Sequence, residues 1–586
     1  IDSFSVLGKY DEINVLLEKI KLIFEETGEV YLRFLYYNAK LNLALFADEH
    51  EQYKELLKEY KYYVEKTDSG EDRIKTNYYE ARYLLIRGEY ERAEVALKDV
   101  LEKSEGVESL NLIKSSALYC LGVTKIFKPY EGQNREIGWL EATELFEKSR
   151  RFAKKIGDLY IEIKAINGLA NIRADTGSNN IAIEEYNKAL LLSQQIGLIE
   201  TQVMLLNNIA IERNLIGELE PAYDSAMKSL NLVKETKGQV NITFSLRTIA
   251  DVSNNMNLID ECTEYIERLT EQISKGKYKK YELIEHYKVH SMFLIRLMDY
   301  KGLRDVTENV YRFTDEEKKE YRNRYGILSL MMDILLDNNY RQLDSTAEIV
   351  ENLLEQEDLN FSINTNYNFE CFYYLLKQVE LEKVQVLMDA CLSLEEAVDE
   401  EYNSSWITSM NKALFAHFQF INGVWDKRLI GNAINYCRDD KYKLLKIDLL
   451  TDSAEIYLKE GSYEYGLSIL LEVAYHIQSI MGDISEKNKL AFFNAMGFSY
   501  PLMYLEKLLL NEEEPERINI ISREEMERLL NKDFTIGLDL ELIKEKIREA
   551  HKKIAVSSYG VNFVEDEPYQ YYKDSPRINT FITLKY

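Results

Sequence analysis

Apolar positions along the chain repeat as pairs of amphipathic helices. Between Ala165 and Cys262 one helical hairpin is written almost three times. Ala170, Gly177 and Ala182 stand seven and five residues apart, Ala210, Gly217 and Ala222 repeat those steps 40 residues on, and Ala250, Asn257 and Cys262 form a degenerate third copy. After each return marker the inner stripe continues at i, i+4, i+7, as in Ala182, Tyr186 and Ala189 or Ala222, Ala226 and Ser229. The spacing has a steric cause. A small residue on the first helix lets the second approach, Gly ends the first helix in the left-handed conformation that other residues avoid, and the second small residue is the matching contact on the return helix. An internal period of this size predicts a solenoid of stacked hairpins.

The marks continue in both directions. Ala81, Gly88 and Ala93 form another clean copy, and turns at Asp48 and at Gly8-Lys9-Tyr10 precede it at steps of 40. The first of these lacks its leading helix, which suggests that residue 1 is an edge inside a longer protein. Gly122 and Ala142 are 20 apart instead of 12, so an insertion of eight falls around Pro129 to Gly132; such insertions map to loops on one edge of a solenoid. Trp139, just after it, reads as a packing residue. Met292 with Asp299, Met331 with Asn338 and Phe372 with Val379 keep the seven-residue step with bulky residues, predicting wider helix pairs. Ala416 with Gly423, then Ala454 with Gly461 and Gly466, restore the small-residue pattern, and Ala495, Gly497 and Pro501 open a last hairpin that ends in the Leu502–Leu510 helix. Beyond a charged linker at 512–517, Ser522 and Glu525 have capping-box spacing. Leu538 to Ile554 reads as an amphipathic helix, and Thr580 to Leu584 as a short strand. The expected organisation is 1–162 with its insertion near 129–138, a regular centre at 163–290, degenerate then regular repeats at 291–511, and a linker, helix and non-repeat tail at 512–586.

This pattern resembles the tetratricopeptide repeat (TPR). The usual unit has about 34 residues; here it has about 40, as in the long-helix variants of kinesin light chains, maltose-regulator-type activators and quorum-sensing peptide receptors. HEAT and armadillo repeats share the period but not the small-Gly-small spacing. The resemblance implies an all-α, right-handed superhelical solenoid of about 11–12 antiparallel helical hairpins. It also implies a concave groove lined by the first helices, whose inward residues lie about three before, one after and four to five after the small residue. Those offsets give Asn167, Asn171 and Asp175, then Asn207 and Asn214, then Arg247, Asp251, Asn254 and Asn255, with Tyr78 and Arg82 before them and His286 and Arg296 after. An Asn array can hold an extended peptide backbone as a strand edge would, and Arg247 can take a carboxylate bidentately. The candidate groove is therefore Asn167, Asn171, Asn207, Asn214, Arg247, Asp251 and Asn254. Asn207→Ala and Arg247→Ala are expected to spare the fold, since neither lies on the packing stripe.

Charge and composition narrow the function. Net charge is −27 over 586 residues, which repels phosphate backbones and anionic lipid heads, so neither direct nucleic-acid nor membrane binding is expected. With 46% hydrophobic residues, 6 Pro and 25 Gly, a continuous helical core is within reach. Cys120, Cys262, Cys371, Cys391 and Cys437 are scattered without close pairs, and no apolar run reaches the roughly 18 residues of a membrane span, which together suggest a reducing cytoplasmic setting. No phosphate loop, dinucleotide fingerprint, nucleophile elbow or C-x-x-C pair occurs. His286 and His290 have the four-residue spacing of a zinc pair, but Tyr287 stands where the catalytic Glu would be and no third ligand is evident. No cofactor or metal is expected. The reading is a non-catalytic protein- or peptide-binding sensor region of a larger bacterial signalling or transcription-regulating protein, with a homodimer left open. The alternatives are a constitutive scaffold, or an accessory region positioning a kinase, NTPase or cyclase domain elsewhere in the full chain.

Overall fold

In the computed structural model, every regular element among the described residues is a helix. The described residues are 10–311, positions 328, 332, 373, 374 and 377, and 405–552, with breaks at 28, 47–49, 68, 129–134, 237–240, 276–279, 438–442 and 516–519 and scattered ones from 537 on. The chain divides into two compact units, residues 1–213 with 224–245 and residues 214–223 with 246–586. Unit 1 holds α1 (Tyr10–Thr27), α2 (Val30–Phe46), α3 (His50–Thr67), α4 (Gly70–Ile86), α5 (Tyr90–Lys103), α6 (Asn111–Phe127), α7 (Arg135–Ile156), α8 (Leu159–Asp175) and α9 (Asn179–Gln195), with most of α10 (Ile199–Leu215) and α11 (Leu219–Glu235). Unit 2 takes most of α12 (Thr243–Asn255), then α13 (Ile259–Ser274), α14 (Lys280–Arg296) and α15 (Tyr300–Tyr311). After residue 404 it continues with α16 (Ser405–Ile421), α17 (Lys427–Tyr436), α18 (Lys443–Lys459), α19 (Tyr463–Gly482), α20 (Glu486–Ala495), α21 (Ser499–Leu510) and α22 (Arg523–Leu530). In unit 1 each helix from α1 to α9 packs on the next, and the first helices α4, α6 and α8 also pack on one another.

The turns form where the repeat predicts them. Gly88, Gly177, Gly217, Gly423, Gly461 and Gly497 all have φ between 66° and 84°, and Asn257 fills the same place at 64°. All but Gly217, for which only the first bond is seen, close their helix with the same pair of bonds: at Gly177 the Gly N–H reaches Ala174 O at 3.0 Å and Ser178 N–H reaches Arg173 O at 2.8 Å. The small residues do what their size allows. Ala170, Ala182, Ala210, Ala222, Ala250 and Cys262 are fully buried, and Cys262 Sγ donates to Ala250 O at 3.4 Å, marking the contact even in the degenerate copy. Cys120, Cys262 and Cys437 are buried free thiols.

Around the insertion, close approach is carried by glycines. A Cβ on Gly122 would lie 2.6 Å from the Phe146 ring, and one on Gly168 would lie 2.8 Å from the same ring. Phe146 of α7 is thus held between α6 and α8. Trp139 is buried at 6% exposure, as expected of a packing residue. Glu94 on α5 gathers Lys98, Lys125 and Lys128 at 2.6, 2.9 and 3.0 Å, anchoring the end of α6 directly before the inserted loop. Burial raises the Glu94 pKa, but the three lysines outweigh it and hold the carboxyl at about 2.

The register after α13 differs from the sequence expectation. The left-handed residue is Met298 (φ 52°), not Asp299, so the small place seven residues earlier is Ser291, fully buried, rather than Met292. Next to this turn a Cβ on Gly302 would meet Leu294 Cδ2 at 2.9 Å. Ser522 caps α22 through Glu525 N–H at 3.2 Å, whereas the Glu525 carboxylate pairs with Arg528 instead of closing the box. The described positions of the Leu538–Ile554 stretch are helical from Leu542 on. The turns at Gly8 and Asp48, the inserted loop 129–134, the steps Met331–Asn338 and Phe372–Val379, and the strand at Thr580–Leu584 lie outside the described residues.

Candidate functional site

In unit 1, side chains from three successive first helices meet. Tyr78 and Arg82 come from α4, Tyr119 from α6, and Tyr160, Lys164, Asn167 and Asn171 from α8. The Arg82 guanidinium lies 5.6 Å from the Tyr78 ring centre, and Lys164 Nζ lies 4.6 Å from the Tyr160 ring and 5.6 Å from that of Tyr119. The α-helical step places Lys164 one turn before Asn167 and Asn171 one turn after it, on one face. Asn167 is half-buried and its Oδ1 has no hydrogen-bond partner, while the exposed Asn171 accepts from the Tyr186 hydroxyl at 2.7 Å. At the end of α10, Glu212 is buried and accepts from Asn179 Nδ2 at 2.7 Å. Burial lifts its pKa to about 7, the Asn179 bond opposes this, and Asp175 adds to it.

Asn207 lies elsewhere. It is fully buried, donating to Ser245 Oγ at 3.2 Å, and Ser245 in turn sits 2.8 Å from Ser229 Oγ. The expectation that Asn207 stands off the packing surface is corrected here: first helices pack on each other as well as on their partners, and this side chain falls in that second contact.

In unit 2 the polar residues form a network between neighbouring hairpins. Asn214, buried, donates to Asp251 Oδ2 at 3.3 Å and accepts from Asn255 Nδ2 at 2.9 Å. Half-buried Arg247 pairs with Glu285 at 3.2 Å, and Asp251 with Lys288 at 3.7 Å. Asn254 is buried; its side-chain oxygen accepts from Arg296 at 2.9 Å, and the same guanidinium also bonds the Asn254 carbonyl and Asn257 Oδ1. Arg296 itself is 2% exposed, with Phe492 and Tyr374 rings at 5.5 and 5.8 Å. At the start of α13, Asp260 accepts from Ser485 N–H at 2.6 Å and from Asn488 Nδ2 at 2.9 Å, so α20 lies against α13. The rings of His286 and His290 lie 5.4 Å apart, tilted by 45°; burial pulls their pKa values to about 3 and about 4, with His290 lowering His286 further and Asp299 opposing the shift of His290. Among the described residues no group of three or more His, Cys, Asp or Glu side chains is placed to hold a metal ion, and no helix is long and apolar enough to cross a membrane.

Of the seven candidate residues, Asn167 and Asn171 thus share a face in unit 1, Arg247 and Asp251 keep part of their surface exposed in unit 2, and Asn207, Asn214 and Asn254 are buried in inter-hairpin bonds. The offset rule stopped one helical turn short of Lys164 and two short of Tyr160, which extensions by three and seven residues would have reached. Tyr119 sits at the rule's own minus-three place from Gly122.

No protein-family model matches the chain, and no curated protein matches it in sequence. Among solved structures it is similar to a Rap protein complexed with competence and sporulation factor, at 14% identity and a TM-score of 0.41 over 64% of this chain and 96% of that one. It is also similar to Naa15/Naa10 bound to HypK-THB, at 12% identity and a TM-score of 0.22 over 99% of this chain and 96% of that one. At such scores the likeness adds nothing to the fold that the helices themselves define.

Proposed function

We propose that the chain is a protein- or peptide-binding helical-repeat module, acting as the sensor region of a larger signalling or transcription-regulating protein. One observation carries the reading: Arg82, Tyr119, Lys164, Asn167 and Asn171 come from successive first helices of unit 1, and Asn171 stays exposed, although its Oδ1 accepts from Tyr186, whereas Asn207, Asn214 and Asn254 are buried in inter-hairpin bonds. A backbone laid across this face would meet amides for its N–H and C=O groups and aromatic surface for its side chains. In unit 2, Arg247 and Asp251 are the contacts proposed for a ligand. A ligand preferring one stacking of hairpins over another would shift that equilibrium by its differential affinity.

A constitutive scaffold is the second reading. It is favoured by the network around Arg296 and Asn254, which ties neighbouring hairpins of unit 2 together in one arrangement. A photo-crosslinking residue at Asn171, compared with one at the exposed Leu191, tests the shared premise. Adducts from a random-peptide pool at position 171 but not at 191 support binding on the first helices; equal labelling, or none, refutes it.

A further inference from the structure

We propose that the contact between α13 and α20 is a latch that closes unit 2 on itself, with Asp260 as its pin, and that the unit has an open state in which the latch is undone. Residues 225 apart in sequence meet here. Asp260, Thr263 and Glu267 follow one another at i, i+3 and i+7, on one face of α13. The Asp260 carboxylate accepts from Ser485 N–H at 2.6 Å, from Ser485 Oγ at 2.5 Å and from Asn488 Nδ2 at 2.9 Å, and the same Asn488 amide reaches Thr263 Oγ1 at 3.2 Å. Lys487 Nζ stands 3.5 Å from Glu267 Oε1. Ser485 is the N-cap residue of α20, yet its hydroxyl makes no capping bond to its own helix and turns to α13 instead. A carboxylate from another hairpin thus occupies the positive end of α20 that a cap of its own would serve.

What the latch encloses opposes it. Two turns along α20, Phe492 is fully buried, and the Arg296 guanidinium at the end of α14 lies 5.5 Å from its ring centre. Arg296 is itself 2% exposed, its Nε has no hydrogen-bond partner, and among the described residues no carboxylate pairs with it. A cation held out of water without a counter-ion favours any state that lets water back. Its bonds to Asn254 and Asn257 stay within the hairpins of α12 to α14, so they survive when α20 leaves. The moving body is also defined. α20 is tied to α22, where Arg523 donates to Glu486 O at 2.8 Å, and α22 to α19, where Gln478 donates to Leu530 O at 3.0 Å. The helices from α19 to α22 can therefore swing together, and the contact that must break is polar and largely at the surface. Such bonds exchange with water at little net cost, which a packed apolar seam does not. Latch bonds on one side and a poorly satisfied buried cation on the other make a two-state element that any preference for one state can tip.

The test places nitroxide labels in the full chain, through p-acetylphenylalanine, at the exposed Glu264 of α13 and at the exposed Asp483 in the turn between α19 and α20, and measures their separation by double electron–electron resonance. One short distance should dominate in the wild type. Asp260→Asn, which keeps the shape but weakens the bonds to the start of α20, should raise a second, longer population about tenfold. Ser485→Asp, which sets a like charge against Asp260, should do the same. Lys487→Glu changes a side chain that is 71% exposed, so the fold is spared, and by repelling Glu267 it should raise that population to a smaller extent. Hydrogen exchange separates a latch from a mere cap: fraying of α20 alone quickens only its first turn, whereas opening also quickens the amides at the Arg296 end of α14. An unchanged short distance in the folded variants overturns the proposal, as does faster exchange confined to the first turn of α20. A wild type that shows mainly the long distance overturns it without any variant. In each of these cases the peptide-binding reading stands.

Discussion

The most direct probe of the repeat geometry is Gly168→Ala in α8. Phe146 is 1% exposed, and its ring is met from both sides: a Cβ at Gly122 would approach to 2.6 Å and one at Gly168 to 2.8 Å. A buried ring can normally tilt away from a new methyl, but this one is backed by a second helix. Two effects of opposite sign compete. Replacing Gly by Ala inside a helix gains about 1 kcal/mol in backbone entropy and propensity. Overpacking a filled core costs roughly 1–3 kcal/mol. Because the ring has no free direction, the upper half of that range applies, and Gly168→Ala is expected to destabilise by about 1–2 kcal/mol. In a Phe146→Leu background the obstruction is gone, so the same change should stabilise by about 0.5–1 kcal/mol, a sign reversal worth roughly 2 kcal/mol of coupling. Urea unfolding of the four proteins by circular dichroism measures it, with hydrogen exchange of the α6–α8 amides as the local readout. Stabilisation by Gly168→Ala in the wild-type background, or a coupling within about 0.5 kcal/mol of zero, would refute the claim that both glycines exist to admit this ring.

Three further outcomes are expected. Glu212 has a folded pKa of about 7, above the 4.5 of an ordinary Glu, so the native state binds the extra proton between those values and stability falls as pH rises through that window. Glu212→Gln should therefore be near neutral at pH 4 and stabilising by roughly 2–3 kcal/mol at pH 8, read as a difference in Tm shifts between the two conditions. His286 and His290 behave oppositely. Their folded values of about 3 and 4 lie below the 6.5 of a free His, so the unfolded chain takes the protons first and stability is lost as pH falls from about 6.5 towards 4; amide exchange in α14 should rise over that range, and less so in His286→Phe. Met298 holds φ 52°, a conformation costing a side chain about 1–2 kcal/mol, so Met298→Gly should stabilise by roughly 0.5–1 kcal/mol after the glycine's own entropy is counted, where Gly177→Ala should destabilise by about 1 kcal/mol with no steric contact involved. Opposite signs in their urea midpoints are the check.

The hairpins and their turns were legible because their causes are local. A left-handed residue between two helices must be Gly or Asn at little cost, and the approach of two helices must pass over a small side chain, so Gly177 with Ala170 and Ala182, or Asn257 with Ala250 and Cys262, announce themselves in any window of a dozen residues. The register was misread at α14 because Met298 is an unusual left-handed residue: counting the step from Asp299 passed over the small Ser291 for Met292.

The polar residues were a different matter. Spacing alone placed Asn167, Asn207 and Tyr78 at equivalent positions three before their small residues, yet Asn207 is fully buried against Ser245, Tyr78 is buried beneath Arg82, and Asn167 remains half-buried with an unbonded oxygen. One helix azimuth serves both the contact between successive first helices and the face beyond it, so how those helices pack decides which role a side chain takes. The chain determines that helices pair, where they turn and which small residues touch. Whether an inward amide bonds its neighbour, and which cations are left without an acid, is decided only once residues 40 and 80 apart are brought side by side, because those partners come from helices whose spacing no single stretch of sequence encodes.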